Sequence, residues 1–229
     1  MKKIIVLSLG GSLIVPGKID DEFLRGFKKV LLKHTKKYKF VVVCGGGSVA
    51  RIYINGLGNQ NIRNKDYLQS LLGVASTRIN ARFMTYFFGK EANKGIPHDM
   101  KEVKSLLRKN SVVFCGALRY AKNQTSDSTA AKLARYFNSE FINLTNIKGL
   151  FDKNPRKYKN AKFIPEISHK DFLKMAKAIE FKPGQHFVLD QTAAKIIYKY
   201  KINTTILGSK LENLDNYLRD RHFVGTIIN

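Results

Sequence analysis

The chain contains no tryptophan, two cysteines and five prolines among 229 residues. Two cysteines are too few for a disulfide scaffold, and Cys44 and Cys115 lack the paired spacing of a zinc site. Each sits where an apolar β-branched run meets a glycine, which predicts buried, reduced thiols. Long hydrophobic runs are also missing, so no segment spans a membrane. Met1-Lys2-Lys3 and the apolar residues behind it have the outline of a secretion signal. Gly10-Gly11-Ser12 interrupts the run with no cleavage site after it, so the segment reads as a first strand of a cytoplasmic protein. Acidic residues are scarce: 17 Asp and Glu against 41 Lys and Arg give a formal net charge of +24. Such a surface attracts anions, including nucleotides and RNA. The lysines are scattered, with no basic block or aromatic-interleaved stripe, which favours a basic enzyme surface over dedicated nucleic-acid binding.

Glycine is present where it counts. Three times an apolar segment runs into a glycine turn: Ile4–Leu9 into Gly10-Gly11-Ser12, Phe40–Cys44 into Gly45-Gly46-Gly47-Ser48, and Val112–Cys115 into Gly116. A strand ending in glycines and feeding a helix exposes backbone N–H groups with no Cβ in the way, which suits phosphate oxygens. Several such ends on neighbouring strands imply a site for more than one phosphate. Gly45-Gly46-Gly47-Ser48-Val49-Ala50 also fits G-x-G-x-x-A, with Asp66 at the distance of a ribose contact. That fingerprint needs a second strand closing on the acidic residue. Ile52 to Asp66 offers none, so a dinucleotide site is excluded, and no Walker sequence occurs.

Strands and helices alternate along the chain. Strands are expected at Lys3–Leu9, Phe40–Cys44, Ser111–Cys115, Glu140–Leu144, Asn203–Leu207 and Val224–Ile228. Helices are expected from Asp20-Asp21, after Gly47, over Tyr67–Phe88 and Met100–Leu107, from Asp127, over Lys170–Lys177, from Asp190, and over Leu211–Leu218. Asn55 to Asn64 and Ala117 to Ser126 read as loops, and Lys182-Pro183-Gly184 as a turn. Leu68, Leu71, Leu72, Ala75, Ile79 and Phe83 give the long helix one apolar side. Phe83, Tyr86, Phe87 and Phe88 near its end fit either core packing or a contact between copies. The alternation predicts an α/β protein: a three-layer αβα sandwich around a mostly parallel sheet, with ligands at the strand carboxyl ends. The five histidines have no metal-ligand spacing and are expected on the surface, so no metal site is expected.

The ordered set of Gly10-Gly11-Ser12, Gly45-Gly46-Gly47 with Arg51, Thr125-Ser126-Asp127, Thr145 to Phe151, and Asp190 with Ala193-Ala194-Lys195 resembles the amino acid kinase family. Within it the resemblance is to uridylate kinases of the archaeal type, over essentially the whole chain. It implies a single domain, residues 1–229, with an N-terminal lobe of about 1–135 for the acceptor and a C-terminal lobe of about 136–229 for ATP. It implies an ATP-dependent nucleoside monophosphate kinase making UDP from UMP for pyrimidine biosynthesis. Mg2+ would be carried by the nucleotide, and the assembly would be a homohexamer. By the same resemblance, Gly10, Gly11, Ser12, Gly47 and Arg51 face the phosphates of ATP, and Thr145, Asn146, Phe151 and Asn154 its base and ribose. Gly46, Asp66, Ser70, Gly116, Arg119, Gln124, Thr125 and Ser126 would hold UMP, and Arg51, Asp127 and Asp190 would be catalytic. Asp127 and Asp190 are equally readable as helix N-caps, and Arg51 as a solvated charge.

The chain departs from the family pattern at several positions. Ser8 stands where many members carry lysine, Ser70 and Asn154 where aspartate is usual, and Lys148 at an acidic position. The acceptor loop is enlarged and carries Arg119 and Lys122. These departures leave open two alternatives: a kinase of the same fold acting on another small anionic acceptor, and a degenerate paralogue that binds nucleotide or RNA.

Overall fold

The structure, a computed structural model, describes residues 2–121, 125–178 and 188–229. Strand β1 (Lys3–Leu9) leads through the short helix α1 (Gly11–Ile14) into α2 (Asp21–His34), then β2 (Tyr38–Cys44), α3 (Gly47–Gly58) and α4 (Lys65–Phe88). A 3-10 turn at Gly89–Glu91 precedes α5 (Met100–Lys109), β3 (Val112–Cys115), α6 (Ser126–Phe137) and β4 (Glu140–Leu144). A hairpin of β5 (Leu150–Phe151) and β6 (Phe163–Ile164) follows, then β7 (Glu166–Ile167), α7 (His169–Lys177), α8 (Gln191–Tyr200), β8 (Thr204–Leu207), α9 (Leu211–Leu218) and β9 (Gly225–Ile228).

Seven strands form one sheet in the order β3-β2-β1-β4-β8-β9-β7. The run from β3 to β8 is parallel, and β9 joins β8 antiparallel. The chain builds outward from β1 to β3, then returns to β4 on the other side of β1. That reversal puts the crevice of the sheet at the carboxyl end of β1, where ligands bind in such folds. Side chains alternate across β1. Ile5, Leu7 and Leu9 enter a core layer with Phe27 of α2, Phe88 of α4 and Leu214 of α9. Val6 enters the opposite layer with Leu133 of α6, Phe172 of α7 and Ile197 of α8. The expected three-layer sandwich is therefore present.

Three expectations need correction. Helix α3 continues through Asn55 to Gly58 instead of stopping before a loop, and Lys65 caps its last turn by donating to the Gly58 carbonyl at 2.9 Å. The apolar side read for α4 is not its inner face. Ser76, Thr77, Asn80, Ala81, Met84, Thr85 and Phe88 are buried, whereas Ile79 is 57% exposed. The reason is the glycine turn after β2. The Asn80 amide donates to the carbonyls of Gly45 (2.7 Å) and Gly46 (3.1 Å), so small and polar residues must face that turn. Nor are all the histidines on the surface. His34 is buried with Nε2 2.7 Å from Asp215, and buried His169 lies 3.1 Å from the Ile202 carbonyl. His186 and the turn expected at Lys182-Pro183-Gly184 lie outside the described residues. Cys44 and Cys115 are buried and free, as expected, and burial pushes the Cys115 thiol up to about 12.

Phe88 anchors α4 to the sheet, its ring centroid 4.7 Å from that of Phe114 and 6.3 Å from that of Phe27. Phe88→Ala is expected to cost about 3–5 kcal/mol of unfolding free energy in a urea melt. A loss under about 1 kcal/mol would mean that the ring is not packed in this layer.

Candidate active site

The carboxyl ends of β1 and β2 are pinned together by glycines. A Cβ on Gly11 would sit 2.6 Å from both the carbonyl carbon and the oxygen of Gly45, and one on Gly45 would sit 2.5 Å from the Gly11 nitrogen. Gly47 approaches the Gly11 carbonyl as closely and has φ of +63°, a left-handed conformation that favours glycine. The two turns therefore touch backbone to backbone. The Gly45 amide donates to Leu9 (2.9 Å), and the Ser48 hydroxyl donates to Val15 (2.7 Å), tying the start of α3 to the end of α1. First-turn amides of a helix have no acceptor within it, so this junction presents N–H groups to whatever lies above.

What lies above is a cleft of about 980 Å³. Gly10, Gly11, Ser12, Gly46, Gly47 and Arg51 line one side of it. Thr125, Ser126, Asp127 and Asp190 line the floor toward α6 and α8, and Thr145, Asn146, Phe151 and Asn154 line the side toward the β5–β6 hairpin. Fourteen of the residues picked from the sequence thus share one cavity. Asp66, Ser70, Gly116 and Arg119 do not line it. The Ser70 hydroxyl donates back to the Asp66 carbonyl at 2.7 Å, and Arg119 extends to within 3.9 Å of Asp99. Gly116 packs against α4, where a Cβ would come within 2.7 Å of the Arg78 nitrogen. Gln124 and Lys122 lie outside the described residues.

The floor is a knot of hydroxyls and carboxylates. Thr125, not Asp127, is the N-cap of α6: its hydroxyl accepts from the Asp127 N–H at 3.1 Å and donates to Asp190 at 2.6 Å. Asp190 is indeed the N-cap of α8, accepting from the Ala193 N–H at 2.8 Å. Its carboxylate also takes the Ser128 hydroxyl (2.6 Å) and the Ser128 N–H (3.0 Å). Asp190 is therefore a saturated pin between two helix starts. Asp127 is free of capping duty and accepts from the fully buried Ser8 hydroxyl at 2.6 Å. Burial and the neighbouring Asp190 push its carboxyl up to about 7, against the opposing pull of the Ser8 hydrogen bond.

Several contributors were not visible beforehand. Asn143 interrupts the apolar run of β4, lines the cleft and donates to the Val188 carbonyl at 2.5 Å. A buried polar residue in the middle of an otherwise apolar strand was the available signal. Asn80, which holds the glycine turn, left no such trace on a helix of mixed polarity. Lys153, Arg156 and Lys157 of the hairpin also line the cleft and give it cationic groups opposite Arg51. Lys148 lies 4.8 Å from the Phe163 ring centroid and 5.6 Å from that of Phe151, a cation held on aromatic faces at the rim. Among the described residues no group of His, Cys, Asp and Glu could hold a metal ion, and no helix is long and apolar enough to cross a membrane.

The raised Asp127 carboxyl has a stability consequence. The folded state keeps a proton there at pH values where the unfolded chain, near 3.8, has lost it. The contribution of Asp127 to stability is therefore greatest at the acid end and falls as pH rises from about 4 to about 7. Asp127→Asn keeps an acceptor for Ser8 and removes the ionisation. The variant is expected to be more stable than the parent at pH 8 and to lose this part of the pH dependence in thermal melts. Equal differences between variant and parent at pH 4 and pH 8 would show that Asp127 does not titrate in this window.

Comparison with known proteins places the same features in context. A model described as the amino acid kinase family matches residues 3–208. The uridylate kinase of Methanococcus aeolicus is 30% identical over 231 residues, covering 98% of this chain and 99% of its own. That of Thermoplasma volcanium is 32% identical over 230 residues, covering 100% and 98%. The crystal structure of uridylate kinase from Archaeoglobus fulgidus superposes with a TM-score of 0.83 at 30% identity, covering 100% of both chains.

Proposed function

The chain belongs to the amino acid kinase family, and from that premise we propose that it transfers the γ-phosphate of ATP to UMP, giving UDP and ADP. The observation that carries this reading is the interlock of Gly11 with Gly45–Gly47 above a cleft that also holds Arg51 and Asp127. Full-length similarity to proteins named uridylate kinase supports the acceptor.

In this reading the N-terminal lobe, residues 1–135, holds the acceptor, and the C-terminal lobe, residues 136–229, holds ATP. Both lobes contribute strands to one sheet. The UMP phosphate oxygen attacks the γ-phosphorus, the bond from that phosphorus to the bridging oxygen breaks, and ADP leaves with the electron pair. A phosphate monoester is largely ionised at neutral pH, so the attacking oxygen needs no general base. Among the described residues, the lining of the cleft contains no histidine, which fits that reading. The work left to the protein is positioning and charge stabilisation. The glycine junction supplies amides, and Arg51, on the first turns of α3, supplies a forked cation. Asp127, fixed by Ser8 and carried on the α6 start, would orient the cationic groups around the transferred phosphate. Mg2+ carried by ATP would supply neutralisation of phosphate charge, with no protein carboxylate cage needed for it. Phe151 and Asn154 would meet the base and ribose of ATP.

A coupled ADP-release assay should show turnover with UMP and little with CMP, aspartate, glutamate, carbamate or isopentenyl phosphate. Arg51→Ala is expected to lower kcat/KM by at least about 100-fold. Turnover of another acceptor but not of UMP would reject the reading. RNA binding without any phosphoryl transfer would favour the degenerate paralogue instead.

The exposed side of α4 supports an assembly of copies. Ile79, Phe83 and Tyr86, with Ile96, line a shallow apolar groove of about 360 Å³ between Arg78, Arg82 and His98. Tyr86 is 71% exposed in the isolated chain. Light scattering should report a mass several times that of one chain, and Ile79→Asp should reduce it. A monomer in the parent protein would remove this part of the proposal.

A further inference from the structure

We propose that Tyr67 and Tyr120 form the recognition surface for the base of the acceptor nucleotide. This rests on the reading of the protein as a nucleoside monophosphate kinase and adds the residues that read the acceptor's ring.

The two rings meet edge to face, with centroids 4.9 Å apart at an interplanar angle of 89°. Tyr67 is in the first turn of α4 and Tyr120 is in the loop after β3. Both rings keep accessible surface, Tyr67 being 46% exposed and Tyr120 38%, so the pair can receive a further ring. The loop has fastenings besides the pair. The Ala117 N–H donates to Thr77 at 2.9 Å, and the Arg78 guanidinium donates to the carbonyls of Ala117 (3.1 Å) and Leu118 (2.7 Å). The loop is thus fastened ten residues along α4 from Tyr67 and then runs back along the helix toward its start.

The pair also stands at the right reach from the phosphate end. A Cβ on Gly46 would lie 3.7 Å from the Gly73 carbonyl and 3.5 Å from Ser76, so α4 touches the glycine junction at this level. Six residues of helix separate Gly73 from Tyr67, about 9 Å along the axis. That is the scale of the span from phosphate to base in a nucleoside 5′-monophosphate. Asp66, Ser70 and Gly73 fall on one line of the helix between the two ends. In an edge-to-face pair one ring face is covered by the partner's edge, and the remaining faces stay free for a third planar ring. Stacking of this kind rewards a flat base and ignores a bare sugar phosphate.

Steady-state kinetics on the full chain, with UMP and with ribose 5-phosphate as acceptors, test the assignment. Tyr67→Ala and Tyr120→Ala are each expected to raise KM for UMP about 5- to 100-fold, with KM for ATP unmoved and KM for ribose 5-phosphate unchanged. Tyr67→Phe and Tyr120→Phe, which keep the ring, should restore the parent KM for UMP and also guard against a folding defect. Unchanged KM for UMP in both alanine variants overturns the proposal. So does an equal rise for UMP and ribose 5-phosphate, which would make the pair a prop for the loop. The underlying kinase reading fails earlier and separately, if the parent protein makes no UDP, and this inference then falls with it.

Discussion

The contact on which the site depends is backbone against backbone between Gly11 and Gly45–Gly47. No side chain larger than hydrogen fits at that approach, because a Cβ on either partner would lie inside the other's peptide group. The consequence is geometric. Two adjacent parallel strands end at one point, and the chain leaves that point as α1 on one side and α3 on the other. Asn80, reaching down from α4, closes the arrangement by taking the Gly45 and Gly46 carbonyls. Those two acceptors are thereby occupied within the fold. Removing one glycine would alter the phosphate surface and the seating of α4 together, since both rest on the same few peptide planes.

On the far side of the cleft the corresponding element is a carboxylate. Asp190 gathers hydrogen bonds from Thr125, Ser128 and Ala193, so the starts of α6 and α8 cannot move independently. With Asp190 saturated, Asp127 stands beside a like charge with one hydroxyl partner, Ser8, and its ionised form is disfavoured. An acid held away from its ordinary ionisation weakens the fold at neutral pH, and such groups cluster at functional sites. The two aspartates look alike in the sequence, each preceding a helix. Only the hydrogen bonds separate a structural pin from a group poised toward ligands.

That ambiguity marks the boundary of what the sequence carried. The β-branched runs and their glycine ends located β1, β2, β3 and β4 within two residues, because strand burial on both faces leaves a continuous apolar signature. The first two glycine turns located one wall of the cleft, because a close backbone approach has no alternative residue, while Arg51 and the residues from Thr125 to Asp190 came from the family resemblance. Helix α4 was legible in extent but not in orientation. Its 24 residues carry apolar side chains all round, and its inner face is built from Ser76, Thr77 and Asn80, which periodicity assigns to solvent. Asn80 and Asn143 act through single amides on carbonyls brought near by the fold, and no spacing rule reports such contacts. His34 and His169 went astray similarly, since a histidine with a buried partner is indistinguishable in sequence from an exposed one.

The distribution of charge ties the cleft to the rest of the chain. A site for two phosphorylated molecules must offset negative charge at both ends of the transferred group. Ser8 is fully buried under α6 and contributes no charge where a lysine is usual, so on the glycine side the lining cation is Arg51. The hairpin supplies Lys153, Arg156 and Lys157, and also Asp152, an exposed lining residue whose carboxylate accepts from the Lys162 N–H at 2.8 Å. Under the proposed function, the hairpin cations would draw the more highly charged ATP toward their side of the cleft. The formal charge of +24 spread over the remaining surface adds nothing to such sorting, because a long-range positive field raises the local concentration of both anions without choosing between them. Selection is then left to short-range features. Under the proposed function these would be Arg51 and the hairpin cations, with Tyr67 at the start of α4 and Tyr120 in the loop after β3, none of which a uniformly basic surface could replace.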